Sequence, residues 1–174
     1  GLSATGGGNV FIGYKAGRDE TGSNKLYIDN SDTATPLIYG DFSTNKVTVH
    51  GYLGIGTTTI THPIDVYGAY VTTSGVWTNA SSREYKDDIE PLSTQEAVNT
   101  LEGLNPVKFV YKANRNEKHV GFIAEEVPDL VATQDRKGMS PMDVVAVLTK
   151  VVKEQQKTIS SLHDELIEVK RRLK

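Results

Sequence analysis

The chain has 174 residues, a net charge of −3, 37% hydrophobic and 7% aromatic residues, and no cysteine. So small a charge argues against a nucleic-acid or anionic-membrane surface, and the lack of cysteine excludes disulfides and thiolate metal sites. No apolar run reaches the ~20 residues of a membrane span, and a core this thin for its length points to burial completed by other subunits.

The chain begins at Gly1 rather than methionine and is expected to be a piece of a longer one. Thirteen of its sixteen glycines fall in the first 80 residues, which sets a boundary near that position. Short β-like runs (Asn9–Ile12, Lys25–Ile28, Pro36–Tyr39, Lys46–Val49, Tyr52–Ile55) alternate there with turn clusters such as Gly6-Gly7-Gly8 and Asp29-Asn30-Ser31-Asp32. Such turn residues tolerate positive φ or bond their own backbone. Strands this short need neighbours. Gly8-Asn9-Val10-Phe11-Ile12-Gly13-Tyr14-Lys15-Ala16-Gly17 resembles one head repeat of trimeric adhesins, in which glycine-flanked turns stack into a β-roll, although no internal period is visible.

The glycines of Gly6-Gly7-Gly8 and Gly54-Ile55-Gly56 precede no helix pattern, and no Gly-Lys-Ser/Thr occurs, so a phosphate cradle is not expected. Ile64–Tyr67 and Tyr70–Thr73 read as further strands, and Trp77, the one tryptophan, as a packing residue. His50, His62, His119 and His163 show no zinc-ligand spacing, so neither a metal nor a cofactor is expected.

Ala80-Ser81-Ser82-Arg83-Glu84-Tyr85-Lys86-Asp87-Asp88-Ile89 separates this glycine-rich part from a charged, helix-forming one. Ser81 lies five residues before Lys86. A lysine in its neutral form can take the proton of a serine hydroxyl. Spacing alone fits a solvated loop as well. Next, Ser93-Thr94-Gln95-Glu96 has the pattern of a capping box, Ala97, Val98 and Leu101 make one apolar face, and Gly103 suits the helix end. Val107–Tyr111 alternates as a half-buried strand, Asn114–Glu117 reads as a turn, and His119–Ala124 as the returning strand. A short helix is expected around Glu125–Val131, followed by a loop at Thr133–Gly138.

The last segment carries a heptad register over four repeats. Val145, Val152, Ile159, Leu166 and Leu173 occupy a, and Leu148, Gln155, Leu162 and Val169 occupy d, with Gln155 a polar layer that sets register. The pattern predicts a coiled coil over about 141–174 and leaves dimer and trimer open. No dense basic region precedes the heptads, which argues against a DNA-binding zipper.

Ser81-Ser82-Arg83-Glu84-Tyr85-Lys86-Asp87-Asp88-Ile89, then Leu104-Asn105-Pro106-Val107-Lys108-Phe109, then His119-Val120-Gly121-Phe122-Ile123-Ala124-Glu125-Glu126-Val127-Pro128, and finally the long helix, resemble in order the blocks of the S74 peptidase family. These are the C-terminal intramolecular chaperone domains of phage tailspikes, tail fibres and endosialidases. The resemblance implies an α+β architecture in two parts: a glycine-rich β fibre segment, 1–80, and a small α+β chaperone domain, 81–174, ending in a trimeric coiled-coil helix. It implies a homotrimer whose client is the upstream fibre of the same chain, on a virion tail fibre or cell-surface fibre, with no nucleic-acid or membrane partner. It also assigns Ser81 as nucleophile and Lys86 as general base for a cut between Ala80 and Ser81. Burial or a cation such as Arg83 would favour the neutral amine, and Asp87 and Asp88 would oppose it. Ser82 stands where cleaving members often carry aspartate and offers a second hydroxyl. His119 and Glu125 lie in matching blocks and are accessory candidates. The rival reading is an uncleaved structural or adhesive fibre tip held by the coiled coil.

Overall fold

Short β-branched and aromatic runs bounded by turn residues give eight strands before residue 80 in the computed structural model, which describes residues 1–173. β1 (Val10–Ile12), β2 (Lys25–Ile28), β3 (Ile38–Asp41) and β4 (Lys46–Val49) form one sheet in that order. β5 (Leu53–Ile55), β6 (Ile64–Val66), β7 (Ala69–Val71) and β8 (Trp77–Thr78) form a second. Both follow one plan: a parallel first pair, then antiparallel neighbours. By its contacts the chain divides into two units, Gly1–Asp88 and the part from Ile89 onward.

The first parallel pair corrects the expectation that no period exists. Val10, Phe11 and Ile12 pair with Leu26, Tyr27 and Ile28. Upstream, Ser3 N donates to Arg18 O at 2.8 Å and Thr5 N to Glu20 O at 3.1 Å, so a longer stretch runs alongside its copy. Asn9 ties the two together: its Oδ1 accepts from Lys25 N, sixteen residues on, at 2.8 Å, and its Nδ2 donates to Gly22 O at 2.9 Å. A β-carbon at Gly6 would stand 1.8 Å from Gly22 O, so only glycine lets these backbones meet. Across the strands Phe11, Tyr27 and Tyr39 form an edge-to-face row with centroids 5.8 and 5.3 Å apart. Lys25 Nζ reaches Asp41 Oδ2 at 2.7 Å, and this lysine, with Ser43, holds the Asp41 carboxyl well below the usual carboxylate range. Burial, then the Glu20 carboxylate that accepts its hydroxyl, pushes the Tyr27 phenol up.

After residue 90 helix signals take over. α1 (Thr94–Glu102) starts at the expected capping box: Ser93 Oγ accepts from Glu96 N, and Glu96 reaches back to Ser93 N. Gly103 caps its end. β9 (Val107–Tyr111) and β10 (Asn114–Gly121) form an antiparallel hairpin. The turn is at 112–113, not at Asn114–Glu117, which joins β10 with a register shift between Asn114 and Lys118. The helix expected around Glu125–Val131 is instead a string of turns. Val127 and Val131 are both buried, which explains their helical spacing. Pro128 supplies no N–H and keeps Val127 out of helical conformation. Arg136 holds the resulting loop, with Nη2 donating to Glu125 O at 3.0 Å and Val127 O at 2.6 Å and with an ion pair to Asp129.

α2 (Pro141–Arg172) is 32 residues, about 48 Å long. Pro141 in its first turn needs no helical partner for its missing N–H. Ala97, Leu104, Val127, Val131, Val147 and Val151 form the core of the second unit, with Val98, Leu101, Phe122 and Val144 packed on it.

Candidate functional site

The candidate cleavage segment leaves the second sheet at β8. Trp77 Nε1 donates to Asn79 Oδ1 at 2.8 Å, Ala80 is half-buried, and Ser81 through Glu90 are all exposed. A single 3-10 turn, Arg83–Tyr85, then reverses the chain. Tyr85 N donates to Ser82 O at 3.2 Å and Lys86 N to Arg83 O at 3.1 Å. The reversal returns Lys86 to the start of the turn, where its Nζ donates to Ser81 Oγ at 2.9 Å.

The two serines have different tasks. Ser82 is the N-cap of the 3-10 turn, and its Oγ accepts from Glu84 N at 3.3 Å. Ser81 is the hydroxyl that the lysine reaches. Among the described residues Lys86 forms no ion pair, although Asp87 and Asp88 follow it directly. Both members of the pair are exposed. Chemically, an amine and a hydroxyl in hydrogen-bond contact stand one residue beyond the Ala80 carbonyl. As an ammonium, the lysine donates. In its neutral form the same contact reverses, and the hydroxyl gives up its proton.

His119 and Glu125 lie in the second unit, and each has a local role there. The His119 ring sits 5.6 Å from Phe109 and 5.0 Å from Tyr111, centroid to centroid, in an aromatic cluster on one face of the hairpin. Glu125 lines a groove of about 650 Å³ with Phe109, Phe122, Met139 and Val144, and its backbone oxygen accepts from Arg136.

The heptad stripe lies on one continuous helix, and all nine of its residues, Val145, Leu148, Val152, Gln155, Ile159, Leu162, Leu166, Val169 and Leu173, are exposed. The expected end of the coiled coil, Lys174, lies outside the described residues. Sequence reasoning missed the doublets in this helix. Val144-Val145, Val147-Leu148 and Val151-Val152 each send the first residue into the second unit's own core and leave the second bare. The doublets are visible in the sequence, since two apolar stripes one residue apart need two different coverings.

Residues 81–134 match the family model of Peptidase S74, described as chaperone of endosialidase. The matched S74 segment contains Ser81, Ser82, Lys86, His119 and Glu125 and stops before α2. The match supports an intramolecular chaperone role for this segment. No curated protein and no solved structure matches the chain.

Proposed function

We propose that this chain is a trimeric folding module for an upstream β fibre, and that it releases itself by cutting between Ala80 and Ser81. The observation that carries the reading is the bare heptad stripe of α2. Five apolar a residues and three apolar d residues face solvent on a helix whose other face is covered by its own unit only near its start, at Val144, Val147 and Val151. Further copies cover such a stripe; its a and d residues leave dimer and trimer open, and the S74 resemblance favours the trimer.

The chaperone argument is kinetic. Strands with distant or intermolecular partners nucleate slowly and are exposed to misassembly. A helix forms locally and fast. Three α2 helices brought together raise the effective concentration of the segments before them and set their register. Cleavage afterwards removes the seed and leaves a kinetically trapped fibre.

For the cut, neutral Lys86 takes the Ser81 hydroxyl proton and Oγ bonds to the Ala80 carbonyl carbon. The bond from that carbon to Ser81 N breaks, and the nitrogen takes the proton back from the lysine. Water, deprotonated by the same amine, then hydrolyses the ester to the Ala80 carboxylate and free Ser81. Covering Lys86 on assembly would favour the neutral amine, because the charged form loses hydration. The uncut trimeric fibre tip is the second reading, favoured by the exposure of Lys86 in the single chain.

Intact-mass spectrometry under denaturing conditions, with sedimentation in native buffer, tests both parts. Self-cleavage predicts pieces of 80 and 94 residues from the 174-residue chain and none from Ser81→Ala. A trimer predicts a Ser81→Ala particle of three 19.0 kDa chains. A wild type that stays whole rejects the cut, and a 19.0 kDa particle at micromolar concentration rejects the trimer.

A further inference from the structure

We propose that Tyr85 is a positioning residue for the Ser81–Lys86 pair, held by its seat on the Gly68 turn of the β6–β7 hairpin. The inference rests on the self-cleavage reading and names a residue that places its pair. β6 and β7 are joined by two residues, Tyr67 at φ 46° and Gly68 at φ 86°, between the paired Val66 and Ala69. Two consecutive positive φ values are what a tight hairpin of this length requires, and they favour glycine at the second position. Gly68 has a further constraint. A β-carbon there would stand 2.8 Å from Tyr85 Cε2 and 3.0 Å from Cζ, so the ring rests against the bare glycine backbone.

Tyr85 is the last residue of the 3-10 turn and immediately precedes Lys86. Its ring therefore sets where the lysine emerges. Ser81 is tied to the same strands from the other side: it follows β8, whose Trp77 and Thr78 pair with Val71 and Tyr70 of β7. Both partners of the 2.9 Å contact thus hang from one hairpin, the serine through β8 and the lysine through Tyr85. Unfolding β6–β7 releases both ties. By contacts, residues up to Asp88 group with the strands of the first unit and not with the helices that follow.

The test is a time course of denaturing intact mass on the folded fraction of the full chain, isolated by size exclusion and checked by circular dichroism. The proteins are wild type, Ser81→Ala, Tyr85→Ala and Tyr85→Phe. Wild type and Tyr85→Phe are expected to cut at the same rate, because the contact uses the ring. Folded Tyr85→Ala is expected to cut about 100-fold more slowly at every pH, the scale of a misplaced reacting group. A folded Tyr85→Ala that cuts at the wild-type rate overturns the proposal. So does a Tyr85→Phe as slow as the alanine variant, or a Tyr85→Ala with no folded fraction, since the residue then serves the fold and not the pair. A wild type that stays whole like Ser81→Ala overturns the cleavage reading itself, an outcome separate from these.

Discussion

The two units of the chain are stabilised in different ways. From Ile89 onward, six apolar residues are buried in one cluster that joins α1, the turns around Val127 and one face of α2. Before that point Ala16 and Pro36 are the buried apolar side chains, while Val10, Ile12, Val47, Ile55 and Trp77 lie exposed. The strands are held by ladders and by polar side chains that reach backbone. Asn9 bridges two stacked turns, Asp65 Oδ2 accepts from Thr61 N at 2.7 Å and His62 N at 2.8 Å, and His50 Nδ1 lies 2.7 Å from Pro36 O. Such bonds set geometry but add about 1 kcal/mol each, against the 1.5–3 kcal/mol of a buried Val or Leu. The second unit carries an apolar core, and the first rests mainly on ladders and polar ties.

The largest effect should come from the stripe that would join copies. Val152→Asp with Ile159→Asp places charges in two layers of the seam, at a cost on the order of 3 kcal/mol each. Sedimentation should show single chains. The second unit should keep its helical signal, since Val147 and Val151 are untouched, while the strands lose protease resistance. A trimer that survives, or strands that stay protected in single chains, would break the contrast between the units.

Acid should separate the units next. Glu20, Asp29, Asp41 and Asp65 all have lowered pKa values: Tyr27 and Gly22 bond Glu20, Ser31 and Leu37 bond Asp29, Lys25 and Ser43 bond Asp41, and His62 bonds Asp65. A carboxylate lowered on folding contributes stability above its unfolded value, 3.8 for aspartate, which is lost as pH falls through the folded value. Below that value the first unit should unfold before the second, in which Glu96, Asp135 and Glu154 are lowered too but an apolar core remains. Asp65→Asn should flatten the acid limb of the first unit's melting curve. Equal acid sensitivity of both units would argue against polar ties as the main support of the strands.

Smaller changes sharpen the second unit. Val131→Ala empties a fully buried site and should cost about 2 kcal/mol in chemical denaturation. Ser93→Ala removes the cap of α1 and should cost about 1 kcal/mol, with the loss confined to the second unit in amide exchange.

The parts that were legible share a cause. Ser93 and Glu96 are three residues apart, Gly103 ends the helix it follows, and the heptads of α2 repeat within one element. The same holds for Ser81 and Lys86, whose meeting needs only one 3-10 turn. The misreadings around Glu125–Val131 and Asn114–Glu117 came from spacing that fitted a local pattern. A proline and a β-bulge decided those places.

Local sequence was enough for the strand-rich and helical halves, the caps, the heptad register and the S74 blocks, because each is written in residues close together in the chain. Tertiary structure alone decided that β1 stacks on its copy sixteen residues later, that each doublet of α2 divides between a core and a bare face, and that Tyr85 settles on Gly68. Those outcomes depend on which distant surfaces fit each other, and no local spacing records the fit.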